Sequence, residues 1–213
     1  MTAKRHSPDG PDNVEHPDVE VISRSTVFEG YSRVDRLRLR HKIHDDNWST
    51  IVDREVFRRG SAAALIPYDP KTDTIVLIEQ FRMGPFITGS HPWMLEVVAG
   101  MIDEGETPEE VAVRECLEEC GAVPKAVEHV FSYFPSPGAI SETIHLYCGH
   151  IDSHDLPDVL GLHDEGEYIK VLPVPRLEAE AMLEKGQFNN GLTIMAVQWL
   201  KLNHTALRQR WGA

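Results

Sequence analysis

The apolar positions change period along the chain. Between residues 18 and 59 they alternate with polar ones. Leu37 and Leu39 sit between Arg36, Arg38 and Arg40, a period of two that predicts a half-buried strand, and Ser49 to Arg58 predicts another. Two or three such strands are marginal alone, so this segment needs a surface to pack on, in the rest of the chain or in a second subunit. From Ser61 to Tyr68 and from Thr74 to Arg82 the apolar runs become continuous, with Asp69-Pro70-Lys71-Thr72-Asp73 between them as a turn. Ile75 to Ile78 is the unbroken aliphatic run expected of a strand covered on both faces. Trp93 to Ala99 is a third run, followed by Gly100 and a loop.

A helix is predicted from about Pro108 to Cys120. Thr107 can cap it, Pro108 suits its first position, Glu110 completes a Thr-x-x-Glu capping box, and Gly121 stops it. Further strands are expected at 127–134, 142–151 and 167–174. Two helices follow, Arg176 to Lys185 ending at Gly186, and Leu192 to Leu207 capped by Asn190. Strands, a helix, more strands and terminal helices imply an α+β or layered α/β/α fold. The organisation read from this is a polar tail at 1–17, a strand-rich segment at 18–59 and a main domain at 60–213.

Composition narrows the function. The chain of 213 residues is 41% hydrophobic, enough for a real core, and carries 34 acidic against 21 basic side chains, a formal charge of −13. Such a surface repels nucleic acid and anionic lipid. If the substrate is a phosphate, a metal or a local basic cluster has to overcome that field. Cys116, Cys120 and Cys148 show no metal-type pairing, and the first two, four apart on a helix, are poorly placed for a disulfide. Buried free thiols in a reducing compartment follow. The N-terminus has no apolar core of a secretory signal, and no apolar run is long enough to span a membrane, so a cytoplasmic location is expected. His145, His150, His154 and His163 show no ligand spacing and read as core or surface residues.

The chemistry concentrates in Gly100 to Ala122, GMIDEGETPEEVAVRECLEECGA. Glu115 and Glu119 are four apart and share a helical face, with Glu118 beside them. Like charges this close repel, and the helix C-terminus disfavours anions. Mg²⁺ or Mn²⁺ would resolve the conflict, because hard carboxylate oxygens suit them. Arg114 can hold Glu118 or Glu106 in place. Taken alone, the glutamates read more readily as a solvated acidic helix face.

The spacing of the whole stretch decides between the two. Gly100, Glu106, Arg114-Glu115, Glu118-Glu119 and Gly121 match the Nudix box at every charged and glycine position, while Cys116 and Ala122 are small for its aliphatic sites. From about Val19 to Trp211 the chain resembles Nudix hydrolases, and within them the bacterial ADP-ribose pyrophosphatase subfamily. Pro137 of Ser136-Pro137-Gly138, sixteen residues beyond Gly121, supports the subfamily; read alone it is a turn.

The resemblance implies a Nudix fold, an α/β/α sandwich with a mixed sheet, plus an N-terminal antiparallel segment that dimerises and shares active sites with its partner. It implies metal ligands at Glu115, Glu119, Glu167 and the Ala99 carbonyl, holding two or three Mg²⁺, with Mn²⁺ possible as a substitute. Glu165 would be the general base, although 164–167 by itself is only an acidic turn. Substrate contacts would come from Tyr31, Arg54, Glu55, Arg59, Arg82, Met101, Ser136 and Glu142. Arginine suits a diphosphate because its planar fork donates paired hydrogen bonds. The expected reaction is hydrolysis of the diphosphate of ADP-ribose to AMP and ribose 5-phosphate. The alternatives are the same chemistry on another nucleotide sugar such as GDP-mannose, or a non-catalytic Nudix-like ligand sensor.

Overall fold

The computed structural model describes residues 14–161 and 168–212. They form two compact units. The first comprises the chain up to Ala62 with Met101–Gly105 and Tyr133–Ile144. Its frame is an antiparallel sheet of β1 (Val19–Glu29), β2 (Arg33–His41) and β3 (Val52–Arg58), in that order. The alternation along β2 holds from Arg36 to Leu39, with Arg36 and Arg38 exposed and Leu37 and Leu39 half-buried, and stops at Arg40, which is half-buried, paired with Glu20 and set over the Trp48 ring. Met101–Gly105 joins this unit through Ile102 N–H, which donates to the Ser61 carbonyl at 2.9 Å. Tyr133–Ile144 joins it through Phe57, whose N–H donates to the Ala139 carbonyl at 2.8 Å.

At the centre of this sheet Asp35 is fully buried. Its carboxylate accepts from Arg33 Nε at 2.7 Å, Thr26 Oγ1 at 2.9 Å and Arg58 Nη1 at 3.3 Å, and also from Arg24 Nη2. Burial alone would raise the carboxyl pKa. The hydrogen bonds from Arg24, Arg33, Thr26 and Arg58 outweigh it and hold the group well below the usual carboxylate range.

The second unit comprises Ala63–Gly100, Glu106–Ser132 and His145 onward. Its strands are β4 (Ala62–Asp69), β5 (Thr74–Phe81), β6 (Trp93–Glu96), β7 (Val98–Met101), β8 (Ala126–Tyr133), β9 (Ile144–His150), β10 (Val159–Leu160) and β11 (Ile169–Pro175). They form one sheet in the order β10-β11-β5-β4-β9-β8, with β6 also paired to β5 and β7 to β4. The helices are α1 (Met83–Ile87), α2 (Pro108–Cys120), α3 (Arg176–Glu184) and α4 (Gly191–Trp211). Ile75, Val76, Leu77 and Ile78 are all fully buried, so both faces of β5 are covered, and α2 and α3 are the helices packed on β5 and β11. In turn, α3 packs on α4. The fold is α+β, built on a large sheet.

Three expectations need correction. The run Trp93–Ala99 is broken at Val97 into β6 and β7, which pair with different partners, and Gly100 lies inside β7 instead of opening a loop. The last helix continues past Leu207 to Trp211. Its final turn is held by Trp211 stacked on His150 at 5.2 Å and by Arg210 paired with Glu128. The short α1 and two-residue β10 were not anticipated, since neither is long enough to show a period. The three cysteines are buried free thiols. Among the described residues, no helix is long and apolar enough to cross a membrane.

Candidate active site

Local sequence places α2. The Thr107 hydroxyl accepts from the Glu110 N–H at 3.3 Å, and the Glu110 carboxylate accepts from the Thr107 N–H at 2.9 Å, so the predicted capping box is formed. At the other end Gly121 adopts φ 77°, and a Cβ there would come within 2.8 Å of Pro157 Cδ. Between these stops Val111, Ala112, Cys116 and Cys120 are buried. That fixes the rotation of the helix and turns Glu115 and Glu119 toward β7.

The two carboxylates reach adjacent residues of β7. Glu119 is buried, and its Oε2 accepts from the Ala99 N–H at 3.0 Å. Glu115 lies against Gly100 so closely that a Cβ on Gly100 would be 1.8 Å from its Oε1. The missing side chain of Gly100 is therefore the cradle for the Glu115 carboxylate. Arg114 organises the rest. Its Nη1 donates to Glu115 Oε1 at 2.7 Å and Glu118 Oε2 at 3.0 Å, while Nε and Nη2 donate to the two oxygens of Glu106 at 3.1 and 3.3 Å.

Two hard carboxylates beside the Ala99–Gly100 backbone, one of them braced by the Arg114 guanidinium, form a donor set that fits a small divalent cation. Among the described residues, no group of three or more His, Cys, Asp or Glu side chains is gathered to hold a metal. The expected ligand Glu167 and the expected base Glu165 lie outside the described residues.

The other predicted residues fall into separate groups. In the second unit, Arg82 Nε donates to the buried Glu96 at 2.8 Å. In the first unit, Arg59, Met101 and Glu142 come together: Arg59 Nη2 lies 3.4 Å from Met101 Sδ, and Arg59 Nε lies 3.7 Å from Glu142 Oε1. Tyr133 belongs with them, its hydroxyl pKa pushed up to about 12 by burial and by the charge of Glu142. Arg54 and Glu55 are engaged elsewhere on β3, Arg54 with the Asp53 carbonyl and Glu55 with Arg36 at 2.6 Å. Tyr31 is exposed between β1 and β2. The Ser136 carbonyl closes the turn by accepting from Ala139 N–H at 3.1 Å and Ile140 N–H at 3.0 Å.

Sequence reasoning missed Tyr133, Glu96 and the two amides that hold Glu96, Gln80 and Asn190. One clue was available: Glu96 is the lone acid within the apolar run Trp93–Ala99.

The NUDIX domain model matches residues 58–192. The chain is 43% identical over 195 residues to an ADP-ribose pyrophosphatase of Escherichia coli, covering 92% of this chain and 93% of that protein. It is 41% identical over 197 residues to an ADP-ribose pyrophosphatase of Haemophilus influenzae, covering 91% of each. A GDP-mannose pyrophosphatase of Yersinia enterocolitica is 37% identical over 163 residues, covering 75% of this chain and 83% of that protein. Among solved structures, an ADP compounds hydrolase superposes with a TM-score of 0.68 at 21% identity, covering 92% of this chain and 98% of that one, a likeness of fold.

Proposed function

The chain belongs to the Nudix family, and from that premise we propose that it hydrolyses the diphosphate bond of ADP-ribose, releasing AMP and ribose 5-phosphate. The observation that carries the reading is the approach of Glu115 and Glu119 to Ala99–Gly100, which gives the complete box a purpose. ADP-ribose is favoured over GDP-mannose because likeness to the ADP-ribose enzymes is higher and extends over more of the chain, 43% across 92% against 37% across 75%.

Enzymes of this kind depend on divalent metal. We take the ion to be Mg²⁺, two or three per site, with Mn²⁺ as a substitute, and assign it to Glu115, Glu119, the Ala99 carbonyl and Glu167. When bound, it supplies charge neutralisation of the diphosphate and a lowered pKa for water. The chain's own residues do the remainder. Arg114 keeps the crowded glutamates apart and oriented. Arg59 and Arg82 bind phosphate oxygens, with Tyr31, Arg54, Glu55, Met101, Ser136 and Glu142 completing the substrate contacts. Glu165 accepts the proton of the attacking water. In this scheme residues 18–59 form the dimerisation segment of a homodimer with shared sites, 60–213 form the catalytic domain, and the enzyme works in the cytoplasm, in keeping with its free cysteines.

The test is chromatography of products after mixing the pure protein with ADP-ribose and Mg²⁺. AMP and ribose 5-phosphate are expected, and EDTA should stop their formation. Undiminished turnover in EDTA, or no turnover with either metal, would refute the scheme.

A further inference from the structure

Glu96 is a buried carboxylate of the second unit outside the box whose partners are all side chains. It is only 4% exposed and accepts three hydrogen bonds, one from each of three residues distant in sequence. Its Oε2 receives Arg82 Nε at 2.8 Å and Gln80 Nε2 at 3.2 Å, and forms an ion pair with Arg82 Nη2 at 2.8 Å. Its Oε1 receives Asn190 Nδ2 at 2.6 Å. Asn190 in turn caps α4 through the N–H groups of Leu192 and Thr193, so the carboxylate is clamped between β5 and the start of a long helix.

This arrangement does something specific to Arg82. A guanidinium offers five N–H donors in a rigid planar fork. Glu96 takes the edge made by Nε and Nη2, which fixes the plane of the group. Among the described residues Nη1 makes no protein hydrogen bond, and the Arg82 side chain remains 43% exposed. The guanidinium is thus held on one edge by a buried acid, while its other edge bonds to none of the described residues and the side chain stays partly open to solvent. An arginine held this way has less rotamer freedom to lose when an anion binds.

We propose that Glu96 is a positioning residue for the reaction: it orients Arg82 so that the Nη1 edge meets the anionic diphosphate before the substrate arrives. Gln80 and Asn190 are the supports that hold Glu96 in that role. The proposal rests on the function given above and on the assignment of Arg82 to the substrate.

A double-mutant cycle on the full-length enzyme with ADP-ribose tests it. Glu96→Gln removes the charge that pins the guanidinium but keeps the shape of the side chain. It should raise KM about tenfold and leave kcat within about twofold, because an interaction made equally in ground and transition states is lost. In an Arg82→Ala background the same change should alter KM by less than about twofold, since there is no guanidinium left to orient. Glu96→Asp keeps the charge with a shorter reach; it should give an intermediate KM, and provides the same cycle if Glu96→Gln folds poorly.

Equal effects of the Glu96 change in both backgrounds would make Glu96 merely structural and overturn the proposal. So would a raised KM in Arg82→Ala with none in Glu96→Gln. If Arg82→Ala leaves KM unchanged, Arg82 does not bind the substrate and this role for Glu96 falls with it, while wild-type turnover of ADP-ribose would still stand as evidence for the function.

Discussion

Two clusters of charge, one in each unit, use the same side-chain types in opposite proportion. In the three-stranded sheet, one carboxylate, Asp35, takes hydrogen bonds from three arginines. Along α2 and in the loop before it, one guanidinium, Arg114, is shared by three carboxylates. The difference lies in what sits at the centre and how open it is. Asp35 has no solvent exposure, and every donor around it satisfies an acid that would otherwise be costly to bury. The glutamates around Arg114 range from 14% to 42% exposed, and Glu118 and Glu119 also face the unfavourable end of a helix dipole. A closed cluster centred on a buried acid stabilises a sheet. A half-open cluster with surplus acid invites a cation. The same side chains satisfy a buried acid in one unit and, in the scheme proposed above, leave acid to spare for a cation in the other.

The comparison can be broken most sharply at Asp35. Asp35→Ala strands three arginines, and loss of one partner from a buried charge network costs about 3–5 kcal/mol. The expected result is a marked fall in denaturation midpoint for the first unit; an unchanged midpoint would mean the cluster does not stabilise the sheet. Next in size is Glu119→Gln. If Glu119 is the metal ligand proposed above, its loss should cost at least the roughly 10–100-fold expected for losing a ligand's supporting residue. Here kcat/KM at fixed Mg²⁺ should drop while the melting temperature stays close to wild type, the reverse of the Asp35 result.

Gly100→Ala is a finer cut. The backbone there is an ordinary strand, so the new methyl leaves the fold alone and displaces the Glu115 carboxylate. Affinity for Mg²⁺ should weaken by about tenfold, with folding intact. A Mg²⁺ titration of activity reads it, and an unshifted curve would show that Gly100 is not the cradle.

The smallest effect is in acid. Because the folded pKa of Asp35 is depressed, its contribution is fully present above about pH 4, the unfolded value, and is lost as pH falls through the folded value. Melting temperature should therefore decline from about pH 4 downward, and less steeply in Asp35→Asn. Parallel acid limbs in the two proteins would argue against Asp35 as the titrating group.

How far each cluster was legible in the sequence differs for a physical reason. Glu115, Glu118, Glu119 and Arg114 lie within one helix, so spacing alone brings them together. Asp35 collects its arginines from β1, β2 and β3, and their meeting depends on strand register. In the same way, Glu96 was visible only as an acid in an apolar run. Its donors come from Gln80, Arg82 and Asn190, which no period in the chain connects.

What the chain determined by itself was whatever a few neighbouring residues can decide: the start of α2 at Thr107-Pro108 with Glu110, its stop at Gly121, the turn at 69–73 and the acidic face of the box. Capping, turn chemistry and helical spacing act over a handful of bonds and need no partner. Only the tertiary structure decided that Val97 separates two strands with different neighbours, that Gly100 makes room for Glu115, and that Glu96 holds Arg82. Those depend on close approach between distant segments, and such contacts exist only once packing has excluded water and placed the strands side by side.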